Sequence, residues 1–291
     1  MAGPRLANDY SEGVTETSKS ALAELAIALA RYQEALVLIG GWAPYFILER
    51  FKRPDIEFAH VGSIDIDFVV DPAVIDAEQY ATILELLFAR GYQPVQGALF
   101  QFEREIASPR DGNSYRVRVD FLTLQPLKGR GQARRHRQVQ RDLKARTLPG
   151  AEVALEHFFI YRLQARLPSG GVTEVDLRIT DVVGALTLKG IAIGERYAEK
   201  DAYDIYAICA YYLDGPPSVA EAFHPFLEER AVQLGLNSIA AKFRSLEAEG
   251  PSWVAAFLGE GDAEGIARIR QDAYMTVREV LRLLETGARR K

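Results

Sequence analysis

The chain carries a single cysteine, Cys209, in 291 residues. No internal disulfide can form, and the thiol within IYAICAYY reads as a small apolar filler of a helix in a reducing compartment. Long apolar runs are also missing. No stretch approaches the ~18 residues that a membrane helix needs, and the opening MAGPRLANDYSEG has no charged segment followed by an apolar one. A cytoplasmic protein without a membrane span is therefore expected. No fixed-period repeat is present, which excludes a solenoid. Positive charge is not in excess either: 35 Lys and Arg against 40 Asp and Glu give a net charge of -5. That excludes a polycation coating nucleic acid, so any polyanion must be held by a local basic patch.

What is there suffices for a sizeable core, since 48 % of the residues are hydrophobic, and the length suits one large domain or two modest ones. Residues 1–16 are polar and glycine-bearing and read as a flexible N-terminus. SKSALAELAIALARYQ then places apolar residues at helical spacing behind a serine cap. ALVLIG is a short continuous apolar run of strand type, closed by Gly40 and Gly41, and WAPYFILERF reads as a helix with Pro44 in its first turn. After the loop FKRPDIEFAHVG come the strand SIDIDFVVD and the helix DAEQYATILELLFARG, capped by Gly91. YQPVQGALFQFEREIA and NSYRVRVDFLTL read as antiparallel strands, and HFFIYRLQARL and VTEVDLRIT flank the turn PSGG as a hairpin. From Asp181 the chain reads as helical to its end. The fold class expected is α+β: a mixed-sheet domain over 17–180 and a helical domain over 181–291.

Asp65 and Asp67, in VGSIDIDFVVD, are two apart on an apolar strand, so their side chains leave from one face and their charges repel. A divalent cation removes the conflict, because Mg²⁺ takes hard oxygen ligands, a few carboxylates together with phosphate oxygens. Two such ions support phosphoryl or nucleotidyl transfer, and that chemistry calls for a third carboxylate. Asp120, in RVRVDFL, is the preferred candidate and Asp176, in TEVDLRIT, the competing one. Gly40 and Gly41 end a strand and open a helix, where backbone N–H groups can face an anion. Gly62 and Ser63 stand just ahead of the acids, where a bare amide and a hydroxyl suit a terminal phosphate. The plainer readings are an exposed acidic strand face and a tight glycine turn.

IGGWAPYFILERF followed by VGSIDIDF and RVRVDFL resembles the nucleotidyltransferase superfamily of DNA polymerase beta fold over roughly residues 35–125. That resemblance implies a polymerase-beta-like mixed-sheet core with a helical C-terminal domain. It implies that Gly40, Gly41, Gly62 and Ser63 bind the triphosphate of an NTP, and that Asp65, Asp67 and Asp120 hold Mg²⁺, two ions in the usual arrangement. Asp120 would also draw the proton from the attacking hydroxyl. The segment VVGALTLKGIAIGERYAEKDAYDIYAI resembles the AbiEii/AbiGii abortive-infection toxins. By that likeness Lys189 neutralises triphosphate charge, and Arg196, Lys200, Asp201 and Asp204 complete the pocket. The last three share one helical face, and the plainer alternative for them is a salt-bridged helix start.

The activity implied is transfer of an NMP from an NTP to a hydroxyl on RNA, such as a tRNA end, or on a protein, within a toxin–antitoxin or phage-defence system that would supply an antitoxin partner. The alternatives are an antibiotic-type transferase acting on a small molecule and a catalytically silent interaction protein of the same fold. Residues 128–146, KGRGQARRHRQVQRDLKAR, are crowded with Arg and Lys, hold one acid, Asp142, and read as a loop or exposed helix. They suit RNA phosphates, although no aromatic residue within them can stack on a base, and an exposed basic loop is the rival reading. His136 reads as a surface histidine, His60 as a residue that can face the nucleotide, and Trp42 as core packing rather than base stacking.

Overall fold

In the computed structural model, which describes residues 6–75, 81–125, 135–259 and 261–288, the Ser11 hydroxyl accepts the Val14 N–H at 3.4 Å and opens α1 (Glu12–Ala28). A serine acceptor satisfies one of the amides that the first turn leaves unpaired. The helix thus starts ahead of residue 17, and of the segment expected to be flexible, residues 1–5 lie outside the described residues. Thr17, Ser18 and every residue from Ser20 to Leu25 are buried, so α1 lies against the sheet rather than at its margin.

The chain then builds β1 (Leu36–Ile39), α2 (Trp42–Phe51) and β2 (Ile66–Val70), as the apolar runs and the glycine turn imply. Next come α3 (Ile83–Ala89), β3 (Gln93–Pro94), β4 (Gln101–Ala107) and β5 (Ser114–Leu124). The helix expected from Asp76 begins only at Ile83, capped by the Thr82 hydroxyl and closed by Glu85 in a capping box; residues 76–80 lie outside the described residues. After them follow β6 (His136–Gln138), β7 (Lys144–Leu148), α4 (Ala151–Glu156), β8 (Phe158–Arg166) and β9 (Val172–Thr180).

These strands form one mixed sheet with the order β3-β4-β5-β2-β1-β9-β8, and β7 with β6 continues from β5. Both expected antiparallel pairs, β4 with β5 and β8 with β9, are present. The described part of the basic segment corrects the loop-or-helix expectation. Residues 136–148 form a two-stranded extension, with β7 parallel to the end of β5, while residues 128–134 lie outside the described residues. The edge of β5 beyond Asp120 has N–H and C=O groups to satisfy, and pairing with it makes a strand of a run whose own pattern is only charged.

One face of the sheet is apolar. Ile66, Phe68 and Val70 on β2, with Val117, Val119 and Phe121 on β5, are buried. On the opposite face Asp67, Arg118 and Asp120 are partly exposed, while Val69 and Leu122 are buried. The acids thus sit where a face that is apolar further along each strand opens.

The chain divides into two compact units. The α/β unit holds Ser11–Ala43 and Gly62–Thr180. The helical unit holds the described residues up to Tyr10, Pro44–Val61 and the chain from Asp181 onward. In the latter, Asp181 caps α5 (Val182–Glu195) by accepting the Val183 and Gly184 N–H groups. It is followed by α6 (Glu199–Tyr211), α7 (Pro216–Phe223), α8 (Arg230–Lys242), α9 (Glu249–Leu258) and α10 (Ala263–Ala288). SVAEAFHPFLEERAVQLG does not run as one helix: Pro225 has no N–H to donate, and a short 3-10 turn over His224–Phe226 separates α7 from α8. Backbones of α5 and α8 meet at glycine, since a Cβ on Gly190 would lie 2.3 Å from the Gly235 carbonyl oxygen. Leu48, Tyr203, Ala207 and Phe257 centre a second core, on which Phe58 stacks against Tyr211 at 3.9 Å. Cys209 is buried within α6, and burial pushes its thiol up to about 12. Among the described residues no helix is long and apolar enough to cross a membrane.

Candidate active site

Strand pairing places two of the acids opposite each other. In the parallel ladder between β2 and β5, Asp67 stands against Asp120, and residues opposed in a ladder lie about 5 Å apart and point to one face. Asp65 precedes β2 by one residue and lies two positions before Asp67, which continues the same face. Its charge reaches Asp120: burial first, and Asp65 in addition, push the Asp120 carboxyl up to about 6, against the pull of Gln101, Arg118 and Arg146. Asp176 is not part of this group. It sits on β9, separated from β2 by β1, and its carboxylate is engaged by Arg162 at 3.0 Å, which holds it below the usual range.

Asp120 is half satisfied. Its Oδ2 accepts the Gln101 Nε2–H at 2.7 Å, whereas Oδ1 is buried without a hydrogen-bond partner among the described residues. A buried carboxylate oxygen with no donor to accept from is costly, and a proton or a cation is the partner that such an oxygen fits. Gly40 contributes by absence. Its φ is +69°, and a Cβ built there would fall 2.0 Å from Asp67 Oδ2, so only glycine leaves the space that the Asp67 carboxylate occupies. Gly41 follows in the turn into α2 and is buried. Gly62 also has positive φ, +78°, and packs beside Thr15 and Trp42. The Ser63 hydroxyl donates to the Asp65 backbone carbonyl at 2.9 Å, which fixes the turn carrying Asp65 into β2. Trp42 is core, as expected: it is buried, and its Nε1–H donates to the Ser18 hydroxyl at 3.1 Å.

The second group of expected residues gathers inside the helical unit. Lys189 on α5 lies 2.7 Å from Asp201 Oδ1, and its ion contact with Asp204 Oδ2 at 2.6 Å is not an aligned hydrogen bond. Arg196 reaches Asp201 Oδ2 at 2.8 Å and Lys200 reaches Asp204 Oδ1 at 2.8 Å. His60, absent from the expected set around Lys189, joins them with Nε2 3.0 Å from Asp204 Oδ1. A carboxylate only accepts, so Nε2 carries the hydrogen. Burial lowers the His60 imidazole to about 4 despite Asp204, and the ring is neutral at pH 7. Burial also opposes the charge on Lys189, but Asp201 and Asp204 outweigh it and raise its pKa. Burial likewise opposes Asp204, and Lys189, Lys200 and His60 outweigh it and lower its pKa. Lys200 is lowered, because burial exceeds what Asp204 returns.

Three cations and two carboxylates thus meet around a neutral imidazole. His60 is the residue that spacing alone did not attach to this cluster. The usable signal was a histidine bounded by apolar residues, since a buried imidazole needs an acceptor.

One further neighbour of the carboxylates was invisible in the basic segment itself. Leu122 pairs with Arg146 and Arg146 with His136, so both side chains share the face of Asp120. The Phe100 ring lies 5.5 Å from the His136 ring and 5.9 Å from the Arg146 guanidinium. No protein-family model matches the chain, and comparison with curated proteins gives no match.

Proposed function

We propose that the chain is a metal-dependent nucleotidyltransferase of polymerase-beta type that moves an NMP from an NTP to a hydroxyl acceptor and releases pyrophosphate. The observation carrying this reading is the apposition of Asp67 and Asp120, with Asp65 two residues away and a buried, unpartnered Oδ1 on Asp120. Asp65, Asp67 and Asp120 would hold Mg²⁺, which when bound supplies charge neutralisation for the triphosphate and for the oxygen that leaves.

The chain's own groups account for the rest. Gln101 orients Asp120 through Oδ2 and leaves Oδ1 to receive the proton of the attacking hydroxyl. That hydroxyl oxygen forms a bond to the α-phosphorus as the bond from the α-phosphorus to the bridging oxygen breaks, and the electron pair departs with pyrophosphate. Gly40 and Gly41 present backbone without side-chain bulk where the triphosphate is expected. The packing of Asp67 against Gly40 and the Ser63-braced turn hold the acids in place before substrate arrives.

The test is incubation of the purified chain with each of the four α-³²P-labelled NTPs, Mg²⁺ and, separately, total RNA, total protein and small-molecule extract, beside a D65A/D67A variant. Label transferred by the wild type and lost in the variant supports the reading. Absence of both transfer and NTP binding in a folded wild type refutes it.

A further inference from the structure

The hairpin of β6 and β7 gathers charge without pairing it. Arg135, Arg137, Lys144 and Arg146 have no carboxylate partner among the described residues. Elsewhere in the same unit Arg104, Arg110, Arg116, Arg118 and Arg162 each meet an acid. On a chain of net charge -5, four unpaired cations on one hairpin are a local surplus that a multiply charged anion relieves. Arg135, Lys144 and Arg146 are exposed.

The hairpin is held at a fixed place on the sheet rather than swinging. In its turn, the Gln140 Oε1 accepts the Ile83 N–H at 2.8 Å, and Asp142 Oδ2 accepts the Thr82 hydroxyl at 2.6 Å. Arg141 pairs with Glu85 at 2.6 Å. Those contacts tie the turn to the N-terminus of α3, and the parallel ladder ties Arg146 to Leu122, two residues beyond Asp120.

Beside the surplus lies a cluster of π groups. Phe100 is half-buried, immediately before Gln101, the residue that holds Asp120, and its ring meets both the His136 ring and the Arg146 guanidinium. Leu99, next to it, is 56 % exposed. Aromatic rings and arginine planes bordered by free cations are what a single-stranded polynucleotide uses: bases stack on the first and phosphates contact the second. A small cationic acceptor would be repelled here, and a protein serine or tyrosine would leave the cations unused.

Resting on the transferase reading above, we propose that Phe100, His136 and Arg146 form the platform on which the terminal base of a single-stranded polynucleotide stacks. Arg135, Arg137 and Lys144 track the preceding phosphates, and the terminal hydroxyl is thereby presented to the Asp65, Asp67 and Asp120 group.

Fluorescence anisotropy with a 3′-end 2-aminopurine, 5′-fluorescein single-stranded 12-nucleotide RNA, without NTP or Mg²⁺, tests this on the full chain. The wild type should bind, and the D65A/D67A variant should retain binding, because the platform and its cations lie outside the acidic group. Substituting Gln for Arg135, Arg137, Lys144 and Arg146 together should flatten the log–log salt dependence by about 2, since three of the four contact phosphates and each phosphate neutralised on a single strand adds about 0.7 to the slope. Phe100→Ala should weaken binding roughly tenfold and abolish quenching of the terminal 2-aminopurine, and Phe100→Trp should restore both. Melting curves matching the wild type certify the fold of each variant.

The platform is overturned if the wild type fails to bind RNA, or if the four-fold Gln variant and Phe100→Ala both bind with wild-type affinity and quenching. It is equally overturned if NMP transfer sensitive to D65A/D67A proceeds onto protein or a small molecule alone, an outcome that leaves the transferase reading standing. RNA binding lost on the hairpin substitutions in a chain that neither binds nor transfers any NTP overturns the transferase reading instead.

Discussion

Two places in this molecule concentrate charge, and they resolve it in opposite ways. Around Lys189 the helical unit brings Arg196, Lys200, Asp201, Asp204 and His60 together so that each carboxylate is contacted by at least two donors. On the open face of the α/β unit, Asp67 and Asp120 oppose each other, with Asp65 close enough to raise Asp120. A buried ion cluster that satisfies itself belongs to the fold. A partly buried group of like charges carries a free-energy cost that a proton or a bound cation would reduce. The distinction lies in direct contact with opposite charge and not in burial: Arg118 and Arg146 pull on Asp120 without an ion pair to it among the described residues, whereas Lys189 and Lys200 touch Asp204.

The comparison breaks most visibly if the two clusters respond alike to mutation. Asp120→Asn keeps the shape and the Gln101 contact while removing a charge that the folded state disfavours. Nucleotidyl transfer should fall by roughly 10³-fold, through loss of both a metal ligand and a proton acceptor, while the urea midpoint stays level or rises. A drop in stability together with activity would place Asp120 with the structural cluster.

Asp204→Ala should do the reverse. It leaves Lys189, Lys200 and His60 around a buried gap, and breaking a buried pair by removing one partner costs about 3–5 kcal/mol. Urea unfolding at pH 7 reads this directly, and a change near zero would show that the cluster relaxes without its central acid.

A smaller effect comes from pH. The folded chain holds His60 neutral down to about 4, because burial opposes its charge, whereas the unfolded chain protonates it near 6.5. Between those values the unfolded state binds more protons, so stability falls as pH drops through that window and is fully present above it. The contribution amounts to about 3 kcal/mol at its limit. Urea midpoints measured from pH 7.5 to 4 should therefore decline more steeply for the wild type than for His60→Gln, and parallel curves would mean that the imidazole titrates normally.

Why the carboxylate face follows from spacing, while the grouping around Lys189 comes only by resemblance and without His60, is a matter of range. Asp65 and Asp67 declare their shared face through a spacing of two, and the glycine turn and the apolar alternation of VRVDFL are equally local. Arg196, Lys200, Asp201 and Asp204 are close in sequence, yet their meaning depends on Lys189 from a preceding helix and His60 from far upstream, and no spacing rule reports that these groups neutralise one another. Residues 136–148 are a similar case. Their charges suggest exposure, but the hydrogen-bonding edge of β5 makes them strands, and only that pairing brings His136 and Arg146 beside Phe100. The helix Ala151–Glu156 is too short for periodicity to mark. Assignment of residues 44–61 to the helical unit follows from side chains such as Leu48, Phe58 and His60, whose partners lie beyond residue 200.

The mildest substitution sharpens the comparison from the other side. Asp176 is the strand acid that, by sequence, competes with Asp120 as the third carboxylate. Its side chain is 38 % exposed and pairs with Arg162, which is 70 % exposed; pairs of that kind contribute little to stability because water screens them. Its strand lies on the far side of β1 from Asp67. Asp176→Asn is accordingly expected to leave the urea midpoint, the NTP affinity and the transfer rate at wild-type values, measured side by side with Asp120→Asn. A loss of transfer at Asp176 comparable to that at Asp120 would mean that the chemistry draws on a different strand, and that the unpartnered oxygen of Asp120 marks a strained core position rather than a metal ligand.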